Sequence, residues 1–158
     1  MAIPHGTVEQ AKFKAYAAFS TGDFSFAVCH FLEAMFVGPS NYLLYSNQST
    51  TYTRLGRYFE ALANVEKTVQ LKLDWPKGYF RLGEAHFSLG HFNKAVVAYM
   101  KGLECNPYDE GLKVGLAKAQ STTFESERKA LAQKEMDLGN SAYIRYGDCA
   151  LYEGDRVE

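Results

Sequence analysis

The sequence has little of what marks several common classes of protein. It contains 3 cysteines among 158 residues, at positions 29, 105 and 149, and none of them forms a C-x-x-C pair. An odd number of widely spaced thiols indicates neither a disulfide framework nor a zinc site. We therefore expect reduced thiols, two of them packed in the interior.

The sequence also lacks an excess of charge and a targeting segment. Its net charge is -1 and its pI is about 6.4, which favours neither a nucleic-acid partner nor an anionic membrane surface. The segment 1–14 has no apolar run of the kind a signal peptide needs, and His30 and Glu33 interrupt the apolar stretch 24–37. We expect a soluble, cytoplasmic monomer that binds no nucleic acid and no membrane.

Signs of catalysis are missing as well. No glycine-rich phosphate loop follows a strand pattern, and no serine, cysteine or acid pair has the neighbouring base that a catalytic nucleophile requires. His86 and His91 are five residues apart, on different faces of a helix, and no third ligand completes a metal site. The sequence predicts no enzyme, no metal and no cofactor.

What the sequence does contain is an internal repeat with a constant period. Glycines recur at 22, 56 and 90, alanines at 27, 61 and 95, and aromatic residues at 24, 58 and 92. The same step links small residues at 15, 49 and 83 and large apolar residues at 31, 65 and 99. Each unit holds two amphipathic helical segments around a glycine turn. We predict an all-α stack of three helical hairpins, at 8–41, 42–75 and 76–109.

The rest of the chain is predicted to be helical too. Residues 108–120 form an amphipathic segment suited to cap the third hairpin. Residues 121–128 are predicted to be a polar joint, followed by a second helix from 124 to 143, in which 138–143 resembles the opening of another repeat. We therefore divide the chain into a domain at 1–120 and a helical extension at 121–158 with a frayed end.

The segment 74–90 combines a structural pattern with a binding pattern. Asp74 is predicted to cap its helix, and Pro76 occupies the first turn. Lys77 and Arg81 stand four residues apart, so they project from one side of the helix and can grip an anion. The other side presents the predicted buried stripe, which consists of Tyr79, Leu82, Gly83 and Phe87.

The period of about 34 residues, the hairpin form and the residue types together resemble the tetratricopeptide repeat. More narrowly, the stretches AKFKAYAAFSTGDF, LLYSNQSTTY, TVQLKLDWPKGYFRLG and YDEGLKVGLAKAQ look like the N-terminal repeat domain of plant heat-shock-organising co-chaperones. This resemblance covers about residues 8–120. It implies a right-handed superhelix with a capping helix, and a non-catalytic groove that binds the acidic C-terminal peptide of 70 or 90 kDa heat-shock chaperones.

In that family a carboxylate clamp of two lysines, two asparagines and one arginine holds a terminal Glu-Glu-Val-Asp. The matching positions here are Lys12, Asn47, Lys77 and Arg81. Tyr16 stands where the family has its other asparagine, and Gln48 replaces a usual arginine. The resemblance thus implies a partly degenerate clamp, with Tyr16 in the same peptide-binding groove and weakening it.

The same residues allow a different function. Charged residues on a helix are usually a solvated face. In this alternative the protein is an interaction scaffold whose groove is retuned by Tyr16 for an aromatic or apolar peptide, and Lys77 and Arg81 only increase solubility. A peptide with a free C-terminal carboxylate, compared with its amide, distinguishes the two functions.

Overall fold

The computed structural model describes residues 7–153, with side chains as far as residue 141, and this part of the chain contains seven helices and no strand. The helices are α1 (Val8–Ser20), α2 (Phe24–Val37), α3 (Tyr42–Arg54), α4 (Tyr58–Leu71), α5 (Pro76–Ser88), α6 (Phe92–Cys105) and α7 (Glu110–Glu153). The prediction of an all-α fold is confirmed.

The helices repeat with the period of the sequence. The first helices of the three hairpins begin at 8, 42 and 76, and the second helices begin at 24, 58 and 92. Every hairpin thus begins one period after the previous one, at the boundaries that the sequence predicted. The prediction of three stacked hairpins is confirmed.

The repeating glycines are explained by the backbone of the turns. Each turn between the two helices of a hairpin contains one glycine with positive φ, between 71° and 81°, and these residues are Gly22, Gly56 and Gly90. A side chain at such a φ is strained, so only glycine adopts this conformation without cost. The turn residue therefore recurs with the repeat.

The helix starts are capped in different ways. Thr7 and Gln10 form a capping box at the start of α1, and the side chain of Asn41 accepts a hydrogen bond from a backbone N–H of α3. At α5 the predicted cap is wrong, because the N-cap is Trp75 and it makes no side-chain hydrogen bond. The Asp74 carboxylate instead pairs with Lys72 at 2.9 Å.

The core contains the small and large residues of the repeat. Ala27, Ala61 and Ala95 are each 0% exposed, as predicted for close helix contacts. The large residues of the series, Phe31, Val65 and Tyr99, are also buried. Of the predicted stripe on α5, Tyr79 and Gly83 are buried, while Leu82 and Phe87 are half-buried.

The chain divides into two compact units, Met1–Gln120 and Ser121–Glu158. In the first unit the beginning of α7 buries Leu112 and Ala119 against Ala95 and Tyr99, which is the packing predicted for a capping helix. The end of the third hairpin therefore loses its exposed apolar surface.

The predicted joint at 121–128 is wrong, since these residues are helical within α7. The stretch 116–138 contains no glycine or proline, and its many alanine, leucine, lysine, glutamine and glutamate residues favour a helix. The likeness of 138–143 to a further repeat stays a prediction. The predicted frayed end includes residues 154–158, which lie outside the described residues.

The structure also bears on the predictions about the cysteines and about membrane-spanning helices. Cys29 and Cys105 are both exposed, so the prediction of two packed thiols is wrong. Cys29 lies on the outer face of α2, and Cys105 is the last residue of α6, where the helix leaves the core. Over the described residues, none of the helices is both long and apolar enough to span a membrane.

Candidate functional site

A groove between α3 and α5 contains two of the predicted binding residues. It has a volume of about 440 Å³. Lys77 and Arg81 line it from α5, one helical turn apart, as their spacing predicted. The other lining residues are Ser49, Thr50, Thr53, Arg54, Phe80, Glu84, Ala85 and Ser88. The groove thus combines cations with hydroxyl groups, which suits an anionic or hydrogen-bonding ligand.

Arg81 lies deeper than Lys77. Its Nε atom is buried and has no hydrogen-bond partner within the described part of the chain, whereas Lys77 is exposed. Burial lowers the pKa of the Arg81 guanidinium, because removal from water disfavours its charged form. The Arg81 side chain also lines the groove, and a guanidinium can bind an incoming carboxylate through two parallel hydrogen bonds.

Tyr16 and Asn47 are joined directly. The Asn47 Nδ2 group donates a hydrogen bond to the Tyr16 hydroxyl oxygen at 2.6 Å, connecting α1 with α3. The edge of the Tyr16 ring contacts Phe31, with centroids 5.6 Å apart and ring planes at 88°. Two predicted binding residues from different repeats therefore act as one hydrogen-bonded unit.

Lys12 is tied to its own helix. Its Nζ atom lies 3.0 Å from a Glu9 carboxylate oxygen, and the lysine side chain is 21% exposed while that of Glu9 is 78% exposed. Pairs exposed to this degree contribute little to stability. A ligand carboxylate can therefore replace Glu9 as the partner of Lys12.

The sequence interpretation missed several residues of the groove. Glu84 lines it, and one Glu84 carboxylate oxygen accepts a 2.7 Å hydrogen bond from the hydroxyl of Tyr99. Thr50 and Glu84 lie one and two periods after Tyr16, so the repeat period could have predicted that both face the groove. Arg54 adds a third cation, and Ser88 stands one period after it.

The two histidines do not lie on one helix, because α5 ends at Ser88 and His91 is the N-cap residue of α6. The rings of His86 and His91 lie 5.8 Å apart, because the turn at Gly90 brings the start of α6 back to the end of α5. His86 is buried, and burial lowers the pKa of its ring. Among the described residues, no group of three histidine, cysteine, aspartate or glutamate side chains is arranged to hold a metal ion.

Comparison with known proteins agrees with the geometry. The tetratricopeptide repeat family matches residues 76–109, which are the third hairpin of the structure. The other two hairpins have the same length and form, so the fold is an all-α stack of tetratricopeptide repeats.

Its sequence relatives include the co-chaperones that the motifs resembled. The chain is 49% identical to the Hsp70-Hsp90 organizing protein of Triticum aestivum, over 77% of this chain and 21% of that protein. It is 51% identical to Hsp70-Hsp90 organizing protein 2 of Arabidopsis thaliana, over the same shares of the two chains. The chain thus spans about a fifth of the length of these curated relatives.

A solved structure of a related domain contains a peptide. The first TPR of Spaghetti (RPAP3), bound to the HSP90 peptide SRMEEVD, superposes with a TM-score of 0.70 and 26% identity. The similarity covers 74% of this chain and 93% of that domain. The hairpin stack seen here is therefore one that holds an acidic C-terminal peptide in another protein.

Proposed function

We propose that this chain is a non-catalytic, cytoplasmic co-chaperone module that binds the acidic C-terminal peptide of a 70 or 90 kDa heat-shock chaperone. Its relatives are Hsp70-Hsp90 organizing proteins, and the similar domain of Spaghetti binds a peptide ending in Glu-Glu-Val-Asp. The peptide lies in the groove formed by the first helices of the repeats. The peptide brings carboxylates to a groove whose lining has three cations, Arg54, Lys77 and Arg81, and one carboxylate, Glu84.

One observation carries this proposal. Arg81 is a cation whose Nε atom is buried without a partner among the described residues, at the wall of a groove that Lys77 also lines. A buried donor without a partner costs about 1–3 kcal/mol, and a hydrogen bond to a charged group contributes about 1.5–3 kcal/mol. A peptide carboxylate that meets the Arg81 guanidinium in the groove therefore adds a charge-assisted hydrogen bond.

The remaining predicted residues come from α1 and α3 and are not among those that line the cavity between α3 and α5, and we assign them to the part of the peptide groove next to α1. Lys12 contributes a second ammonium, and Asn47 with Tyr16 contributes neutral hydrogen-bond donors. These five residues form the proposed clamp: Lys12, Tyr16, Asn47, Lys77 and Arg81. The terminal α-carboxylate and the acidic side chains of the peptide provide several anionic groups for three cations.

The test is a titration with two peptides that differ in one group. A peptide ending in Glu-Glu-Val-Asp is compared with the same peptide carrying a C-terminal amide. The clamp requires the free carboxylate, so the free acid should bind at least about ten-fold more tightly. Equal binding of both peptides, or binding of neither, would contradict the clamp and favour the interaction scaffold with a retuned groove.

A further inference from the structure

The hydrogen bond between Asn47 and Tyr16 has a defined direction. The Asn47 amide donates and the Tyr16 oxygen accepts, at 2.6 Å. A phenol has one hydrogen to donate besides its capacity to accept. Within residues 7–141, no acceptor is bonded to that hydrogen. The Tyr16 hydroxyl can therefore donate to a ligand while it keeps its bond to Asn47.

The surrounding packing holds the Tyr16 ring in place and leaves part of the residue exposed to solvent. Phe31 is 1% exposed and its contact with the Tyr16 ring fixes the ring against the core of the first hairpin. Tyr16 is an exposed residue, at 42%, whereas Asn47 is partly buried. One N–H of the Asn47 amide is already bonded to the Tyr16 hydroxyl. A ligand that enters from solvent thus has access to the phenol, while the amide supports it.

The direction of the bond also affects its strength. A hydroxyl that accepts one hydrogen bond is polarised and becomes a better donor for the next, so the two bonds reinforce each other. A carboxylate gains most from such a donor, since bonds to an ionised acceptor are shorter and stronger than bonds between neutral groups.

We infer that Tyr16 donates a hydrogen bond to a carboxylate of the bound peptide and that Asn47 is a positioning residue, which acts through the Tyr16 hydroxyl. This inference rests on the proposed function, because it assigns one contact of the same groove. The family clamp has two asparagine side chains, and here a chain of two hydrogen bonds stands in their place. The Asn47 amide donates to the Tyr16 hydroxyl, and the Tyr16 hydroxyl donates to the peptide carboxylate. Tyr16 is then a working part of the groove that also determines how far the peptide enters.

The experiment removes one oxygen atom. Tyr16→Phe keeps the ring and its contact with Phe31 but deletes the hydroxyl. Calorimetry with the free-acid peptide ending in Glu-Glu-Val-Asp should show binding weakened by about ten-fold, with little change for the amidated peptide. Tyr45→Phe is the matched control, because its hydroxyl donates to the Pro39 carbonyl at 3.0 Å and not to a residue of the clamp.

A double-mutant cycle tests the role of Asn47. Asn47→Ala should weaken binding of the free acid in the parent, but it should have almost no further effect in the Tyr16→Phe background, because its action passes through the hydroxyl. Additive losses would mean that Asn47 binds the peptide independently and would overturn the relay. A merely structural role of Asn47 would weaken the free acid and the amide equally, which would overturn it too.

The outcomes separate this inference from the proposed function. If the parent binds the free acid and Arg81→Ala weakens that binding, but Tyr16→Phe binds equally well or more tightly, only the assignment of Tyr16 is overturned. Tighter binding would mean that the hydroxyl competes with the peptide for Asn47. If the parent does not prefer the free acid, the proposed function and this inference are both overturned.

Discussion

Gly83 lies directly against the ring of Tyr99, so a methyl group at this position would overlap three of the ring carbons. The ring cannot move aside easily, because Tyr99 is 1% exposed and its hydroxyl is bonded to Glu84. The large ring of Tyr99 therefore requires a residue without a side chain at position 83. The contact joins the two helices of the third hairpin.

Gly83→Ala should destabilise the protein although alanine favours helices. Overpacking costs about 1–3 kcal/mol, and helix propensity returns about 1 kcal/mol of that. Thermal unfolding followed by circular dichroism should show a lower midpoint. Gly139→Ala is the control, because a methyl group there meets no atom within 4 Å and should not lower the midpoint.

Ala95→Leu should also overpack the third hairpin. Ala95 is 0% exposed and packs with Tyr99 and Leu112, so the added carbons have no space. We expect a loss of about 1–3 kcal/mol in the free energy of unfolding, measured with a chemical denaturant. Ala63→Leu, at an exposed position of α4, should leave that free energy nearly unchanged. Equal stability of the Ala95 variant and the parent would contradict the packing described.

Gln48→Met should stabilise the protein. Gln48 is 1% exposed, and within the described residues neither its Nε2 nor its Oε1 atom has a hydrogen-bond partner. An unpaired buried group costs about 1–3 kcal/mol, and methionine has a similar shape without polar amide atoms. Denaturant unfolding should show the gain, while Gln70→Met at an exposed position should show none. A loss of stability would indicate that a buried water satisfies the amide.

Arg81→Ala should weaken the free-acid peptide more than any other single change in the clamp. One charge-assisted contact of about 1.5–3 kcal/mol corresponds to roughly ten-fold or more in affinity. The melting temperature should change little, because the relief from removing the unpaired buried Nε atom offsets the packing lost with the long side chain. Added salt should weaken the parent complex, since its charges are partly exposed.

Arg57→Ala is the matched control for Arg81→Ala. Arg57 precedes α4 and forms its ion pair with Glu60, outside the groove. Its loss should leave peptide affinity unchanged. Unchanged affinity in the Arg81 variant as well would favour the scaffold with a retuned groove.

Tyr16→Asn should tighten the free-acid peptide by roughly ten-fold or more. A short amide gives a donor closer to the backbone of α1, while the tyrosine ring occupies space that the peptide would use. We therefore expect the asparagine variant to bind the free-acid peptide most tightly, the parent less tightly and the Tyr16→Phe variant most weakly. Titration calorimetry measures all three. Equal or weaker binding of the asparagine variant would show that tyrosine serves the groove at least as well as asparagine, and it would contradict the prediction that Tyr16 weakens the clamp.

The sequence by itself determined the hairpins and their boundaries. Helix periodicity, turn glycines and small contact residues are properties of short segments, and the constant period carries each of them from one repeat to the next. The burial of Ala27, Ala61 and Ala95 follows from the same repetition. The spacing of Lys77 and Arg81 also required only local helix geometry.

Only the tertiary structure decided which partner each polar group takes. Asp74 had both a helix end and Lys72 within reach, and the ion pair with Lys72 formed. Tyr16 and Asn47 belong to different hairpins, so their bond depends on how α1 packs beside α3. The buried Nε of Arg81, which lacks a partner among the described residues, likewise depends on its neighbours in space. Sequence patterns record which groups a helix presents, whereas distances across a groove arise only when the helices pack.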